Sequence, residues 1–186
     1  ILEPKNRIWF ILALSRLALL SGENPFIFEG TLKKMRIISN NICYEPCPEP
    51  ENEVEQHLTV NTDGRVCFSS YAFGDESGKY TKARTNSFRI DSVAASELLN
   101  KVAAYFSQEY IEVFATDIGD WVMELTNTDG KIYKFRGSLC ADFEVDGIDL
   151  SDFIRDTLEL PDLYVFDGNN KPDKINRIVL DYHRVT

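Results

Sequence analysis

Residues 121–136 have the sequence WVMELTNTDGKIYKFR. On both sides of the tetrapeptide Asn127-Thr128-Asp129-Gly130 every second residue is apolar, and the residues between them are polar or charged except Val122 and Ile132. This period of two is typical of a strand with one buried face, and Asp-Gly between two such runs favours a tight turn because Gly accepts φ > 0. The stretch therefore predicts an antiparallel hairpin with one solvated face.

The same tetrapeptide occurs earlier, at residues 61–64, between strand-like runs at 55–60 and 65–71. Its flanking residues differ from those of the later copy, so the repeat indicates shared turn chemistry rather than duplication. Further strands are predicted at three places: 35–39, 111–115 and 175–183. Residues 74–86 are mostly polar and predict a long loop or the tip of a hairpin.

Two helices are predicted after the hairpins. Apolar residues at helical spacing, with Asp91 or Ser92 as the cap, predict a helix that runs to about Gln108. Asp149 and Asp152 resemble a capping box, and Pro161 ends the short helix that follows. The predicted fold class is α+β: an antiparallel sheet built from two hairpin-plus-helix units, with the helices on one face and an extra apolar N-terminal helix.

The N-terminal region differs from the rest in composition, and we expect residues 1–34 to form an apolar helix and linker and 35–186 a single α+β domain. Residues 8–20 are almost all apolar but interrupted by Arg16, and the run is shorter than the ~20 residues that span a bilayer. Three interpretations stay open: a helix covered by the fold or by a partner, membrane-surface contact, or an extension that precedes a native start at Met35. Within the run, the candidate partner-binding residues are Trp9, Ile11 and Leu12.

The charge balance restricts the class of partner. The 186 residues carry 30 acidic and 20 basic side chains, a net charge of −10. A generic nucleic-acid binder is expected to be basic because it neutralises phosphates, so no nucleic-acid partner is predicted. A basic protein partner suits this composition better.

Motifs for catalysis are few, so the sequence leans against an enzyme. There is no Gly-x-Ser-x-Gly elbow and no glycine-rich phosphate loop. His57 and His183 are the only histidines, and a Cys43-x3-Cys47 pair lacks the second knuckle of a structural zinc site. With Cys67 and Cys140, these cysteines are expected to be reduced thiols in a cytoplasmic protein.

One acidic stretch offers ligands for a metal ion. Oxygen ligands at this density can hold Ca²⁺ or Mg²⁺, although the spacing is not that of an EF-hand. The alternative is a set of solvated turns and helix caps. The candidate ligands are Asp142, Glu144, Asp146 and Asp149.

A second candidate partner site is the junction formed by Asp117, Asp120 and Trp121. A Trp with acidic neighbours can bind a sugar or a peptide. The alternative is a core Trp beside a turn.

Four short runs carry a resemblance to a known group: 114–121, 137–143, 149–152 and 181–184. Together they resemble a family of uncharacterised proteins from gut Firmicutes, and the likeness covers about residues 35–184. The family has no assigned activity, so the resemblance implies no catalytic residue. It does imply a chain that continues past the last predicted strand.

The sequence is therefore consistent with three functions. The first is an acidic, non-enzymatic protein-interaction domain of the immunity-like or regulatory kind, with no cofactor. The second is a divalent-metal-binding protein or metal-dependent enzyme that uses the Asp142–Asp149 stretch. The third is a protein attached to a membrane surface through residues 8–20.

Overall fold

The computed structural model describes residues 26–42, 48–74 and 79–168. Its main feature is a six-stranded antiparallel sheet of order β4-β3-β2-β1-β5-β6. The strands are β1 (Leu32–Asn40), β2 (Glu53–Asn61), β3 (Arg65–Ala72), β4 (Thr81–Arg89), β5 (Asp120–Asn127) and β6 (Ile132–Ser138). The helices are α1 (Ser92–Phe106) and α2 (Leu150–Leu158), and a separate small pair consists of β7 (Glu144–Val145) and β8 (Ile148–Asp149).

Both predicted hairpins are confirmed. The Asn-Thr-Asp-Gly turns join β2 to β3 and β5 to β6, and their glycines have φ of 80° at Gly64 and 84° at Gly130. The central strand β1 pairs with β2 on one side and with β5 on the other, so it joins the two hairpins into one sheet.

The sheet and both helices share one hydrophobic core, which confirms the α+β class. Buried and exposed residues alternate along most of the strands; Met35 and Ile37 of β1, for example, are buried while Arg36 between them is exposed. The apolar stripe predicted for α1 is buried against the sheet. Asp149 caps α2 as predicted, because its Oδ1 accepts a hydrogen bond from the Asp152 backbone N–H at 2.8 Å.

The strand predicted at 111–115 does not form. Ile111 and Phe114 are exposed, and the segment contacts the end of β6 through one backbone hydrogen bond, from the Ser138 N–H to the Val113 carbonyl at 2.9 Å. Beyond this bond, the backbone of Ala115 is held by a side chain: its N–H donates to the Ser138 hydroxyl, and its carbonyl accepts from the same hydroxyl. The apolar alternation here arises beside a sheet edge rather than within a strand.

The loop predicted over residues 74–86 is also wrong in its second half, where β4 runs from Thr81 to Arg89. Most of its side chains are exposed, and only Phe88 is half-buried. An edge strand with polar residues on both faces lacks the alternation that reveals other strands, and its charges oppose pairing with another chain. This strand lies between the first hairpin and α1, so the helix does not follow that hairpin directly.

The folded part begins before residue 35, because Phe28 and Leu32 are both buried in the core. The apolar run 8–20 and the strand predicted at 175–183 lie outside the described residues, as do Cys43, Cys47 and His183. Among the described helices, neither has the length and apolar character needed to cross a bilayer.

Candidate functional site

A concavity of the described structure lies where β1 and β6 end and β5 begins. We name it the sheet-end groove, and define it by Asn40, Tyr80, Glu112, Phe114, Asp120 and Arg136. Its volume is about 680 Å³, within the range of small-ligand sites. Asn40 pairs with Asp120 in the sheet register. Both side chains point away from the core, so the groove opens on the face opposite the helices.

A close backbone contact builds the floor of the groove. Gly119 lies against the end of β1 so tightly that a Cβ atom there would be 2.0 Å from the Asn40 carbonyl oxygen. On its other side, the Gly119 carbonyl accepts a hydrogen bond from the Leu139 N–H at 2.8 Å. Only glycine allows this approach, so the loop that carries Asp117 packs closely against β1 where it leads into Asp120 of β5.

The wall of the groove is formed by the segment that was predicted to be a strand. The Tyr110 hydroxyl donates to the Arg136 carbonyl at 2.7 Å. Burial raises the pKa of Tyr110, so the hydroxyl stays protonated and able to donate. Arg136 forms an ion pair with Glu112, with Nε 3.1 Å from Oε1. Phe114 stands at the rim with 77% of its surface exposed.

A chain of polar contacts fixes the opposite wall. The Asn40 amide donates to the Tyr80 hydroxyl at 3.1 Å and to Glu55 Oε2 at 3.4 Å. Glu55 Oε1 lies 2.7 Å from His57 Nε2. Asp120 lies between these walls, and within the described part of the chain its carboxylate has no hydrogen-bond or ion-pair partner.

The predicted partner-binding residues fall in different environments. Asp120 lines the groove and Asp117 is exposed in the adjoining loop. Trp121 is only 1% exposed, and its indole contacts Phe166 edge-on at a ring distance of 5.0 Å. Trp121 is therefore a core residue beside a turn, and it also contributes to the lining of the groove. Trp9, Ile11 and Leu12 lie outside the described residues.

The four predicted metal ligands do not come together in the described structure. Asp142, Glu144 and Asp146 are exposed and spread over the loop and the β7–β8 turn. The three carboxylates that do converge there are those of Asp149, Asp152 and Asp167, with ligand atoms within 4.8 Å of one another.

A guanidinium group stands among these carboxylates. We name the group the Arg155 cluster, made of Arg155, Asp152 and Asp167. Arg155 Nη1 donates to Asp152 Oδ1 at 2.9 Å and to Asp167 Oδ2 at 3.0 Å, while Nη2 donates to Asp167 Oδ1. Burial disfavours its charge, but the hydrogen bonds to Asp167 and Asp152 outweigh this and raise the pKa of Arg155. The cluster therefore has the chemistry of a structural ion-pair network.

Negative charge accumulates along the chain from residue 140 to residue 168, which we name the acidic segment. It holds nine Asp or Glu residues and one basic residue, Arg155. Six of the nine carboxylates are exposed, whereas Arg155 is buried. Both ends of the segment lie near the groove, because Leu139 bonds to Gly119 and the Ser39 hydroxyl donates to the Val165 carbonyl at 2.9 Å.

His57 and Ser69 are a candidate base and nucleophile. His57 is opposite Ser69 in the β2–β3 register, and Glu55 orients its ring. No hydrogen bond joins the Ser69 hydroxyl to this His in the described part, so the nucleophile–base contact of hydrolytic triads is not formed.

Sequence reasoning missed most of the groove. The alternation in 131–136 places Arg136 on the solvated face of β6, and this signal was available. Its position beside Glu112 and Asn40 depends on the order of β6, β5 and β1, which no local pattern specifies.

Comparison with family models gives no match, and comparison with curated proteins gives none either. The class of protein is therefore defined by the fold and by the groove: an acidic α+β domain with one open sheet face.

Proposed function

We propose that the chain is a non-enzymatic protein-interaction domain, immunity-like or regulatory, that docks a basic protein partner. The observation that carries this proposal is the excess of acidic over basic residues in the acidic segment, nine against one. Its single arginine is buried in the Arg155 cluster, so its surface presents exposed carboxylates with no basic side chain from the same segment.

A surface of exposed carboxylates mainly affects the rate at which a partner associates and the choice of partner. Opposite potentials speed association and repel wrong partners, and they add less to affinity than to the association rate. Salt screens exposed charges over about 8 Å at physiological ionic strength. Binding through the acidic segment should therefore weaken as salt rises.

A cytoplasmic location fits the proposal. Cys67 and Cys140 are free thiols, which suits a reducing compartment. Both are exposed, and they form no disulfide within the described residues.

The test begins with the full chain as bait in a lysate, followed by binding measurements with each purified protein that it retains. The variant E144Q/D146N/D156N removes three exposed charges from the acidic segment. Its control, E49Q/E51Q/D129N, removes three exposed charges elsewhere. We expect the first variant to lower the association rate by about tenfold, and the control to have little effect.

Two results would contradict the proposal. One is an association that is unchanged between low and high salt. The other is an equal loss in both variants, which would indicate a response to net charge rather than to this surface.

A further inference from the structure

The sheet-end groove has a charge that its own residues do not neutralise. Arg136 and Glu112 are paired at 3.1 Å and together are neutral. Tyr80 and Asn40 are uncharged and bonded to each other. This leaves the exposed carboxylate of Asp120, so the groove is suited to a cation.

The groove also has an aromatic surface available to a ligand. Phe114 is largely exposed at its rim, although a side chain of this size usually contributes to a core. A planar cation can stack on such a ring while it forms paired hydrogen bonds to a carboxylate. A guanidinium group has both properties, whereas a lysine ammonium lacks the planar fork.

The geometry points to the sheet-end groove as the pocket for an arginine side chain of the basic partner, with its guanidinium on Asp120 and against the ring of Phe114. This inference rests on the proposed function, because it supplies the docking site for the same class of partner. The acidic segment would attract the partner, and the groove at the same end of the sheet would select an arginine.

The rigid floor supports this role. Gly119 is fixed between the ends of β1 and β6 by its contacts with Asn40 and Leu139. The backbone of Asp120, which follows this glycine, therefore has little freedom left to lose when a ligand binds, which favours affinity for a small group.

The test uses the isotope-labelled full chain and the peptide acetyl-Gly-Arg-Gly-amide, followed by amide chemical shifts. The neutral control ligand has citrulline in place of arginine, and a third peptide has lysine. We expect the arginine peptide to bind with a Kd of about 1–10 mM, the range for one small contact. Shifts should occur at residues 112–122 and 136–138, with little effect from citrulline and a weaker effect from lysine.

Two matched variants locate the binding site. Asp120→Asn should weaken binding of the arginine peptide by about fivefold or more, since it removes a charge-assisted hydrogen bond. Asp129→Asn makes the same change in an exposed turn at the far end of the β5–β6 hairpin, and should leave binding unchanged. Phe114→Ala should weaken arginine binding more than lysine binding.

Several outcomes would overturn the inference. The first is an absence of shifts in the groove up to about 50 mM peptide, a concentration about fivefold above the upper expected Kd. The others are equal shifts with citrulline and equal Kd values for the two Asp variants. Shifts confined to the acidic segment would reject the groove while leaving the proposed function intact. The proposed function itself is tested by a different experiment. That experiment measures how binding to the whole protein partner depends on salt and on the charge variants of this chain.

Discussion

The Arg155 cluster and the sheet-end groove both place an arginine beside carboxylates, but they differ in burial. In the cluster, the side chains of Arg155 and Asp167 are 6% and 4% exposed. In the groove, those of Arg136 and Glu112 are 61% and 39% exposed. The same pair of chemical groups is thus part of the core in one region and part of an open surface in the other.

This difference in burial fits the cluster to a structural role and leaves the groove accessible to solvent. A buried pair has lost its water, so each partner depends on the other, and removal of one leaves a costly charge. An exposed pair keeps its water, contributes little to stability and is accessible to a ligand. Residue type alone therefore does not identify a site, because the acidic residues closest together along the chain are not those around the groove.

The largest expected effect is that of Arg155→Ala. It removes the guanidinium from the buried Asp167 carboxylate and should lower the free energy of unfolding by about 3–5 kcal/mol. Arg136→Ala, the matched change in the groove, should cost only about 0–1 kcal/mol. Urea denaturation of both variants measures the difference, and similar costs for the two would contradict the distinction.

The sequence predicted the parts of the fold that depend on local chemistry. The two turns, the stripe of α1 and the cap at Asp149 each follow from residues close together in the chain. The alternation in β5 even places Trp121 on the same face as Met123, which accounts for its burial. The position of β4 was missed because an exposed edge strand has no alternation.

The sites were harder to predict because they depend on distant residues. Asp152 and Arg155 are one helical turn apart, but Asp167 reaches them only after the chain has reversed direction. Asp120 was recognised as a candidate, whereas its neighbours in the groove come from four separate parts of the chain. Charge density along the sequence drew attention instead to the Asp142–Asp149 stretch.

The second prediction changes the floor of the groove. Gly119→Ala places a methyl group against the Asn40 carbonyl, and the loop must move or β1 must shift. We expect a loss of about 1–3 kcal/mol, as for other overpacked sites, with amide shifts at Asn40 and Ile42. Gly147→Ala is the control: its φ of 75° is unfavourable for alanine, but no atom lies within 4 Å of the new Cβ. It should leave the groove amides unchanged, and an equal disturbance there in both variants would contradict the contact.

The third prediction concerns alkaline pH and the wall of the groove. Burial raises the folded-state pKa of Tyr110 above the ordinary value of 10.0. The buried Tyr110 hydroxyl therefore makes its full contribution to stability below pH 10. This contribution is lost as pH rises further, because the Tyr110 hydroxyl ionises in the unfolded chain before it ionises in the folded protein. Tyr110→Phe should cost about 1 kcal/mol at neutral pH, but lose less stability than the parent protein between about pH 9 and about pH 11. Parallel pH profiles of the two proteins would contradict this assignment.

The smallest expected effect is that of Ca²⁺, and it tests whether the Arg155 cluster is an ion-pair network or a cation site. A site with a Kd for Ca²⁺ one hundredfold below the added concentration would stabilise the fold by about 2.7 kcal/mol. In a protein of this size, that stabilisation would raise Tm by about 5–10 °C. Because the Arg155 guanidinium already contacts Asp152 and Asp167, we expect CaCl₂ to change Tm no more than NaCl of equal ionic strength, and EDTA to change it not at all. A rise specific to Ca²⁺ that Asp149→Asn abolishes would show instead that the carboxylates can exchange the arginine for a metal. In that case burial alone would not separate the cluster from the groove, and the Asp142–Asp149 stretch would regain its place as a candidate site.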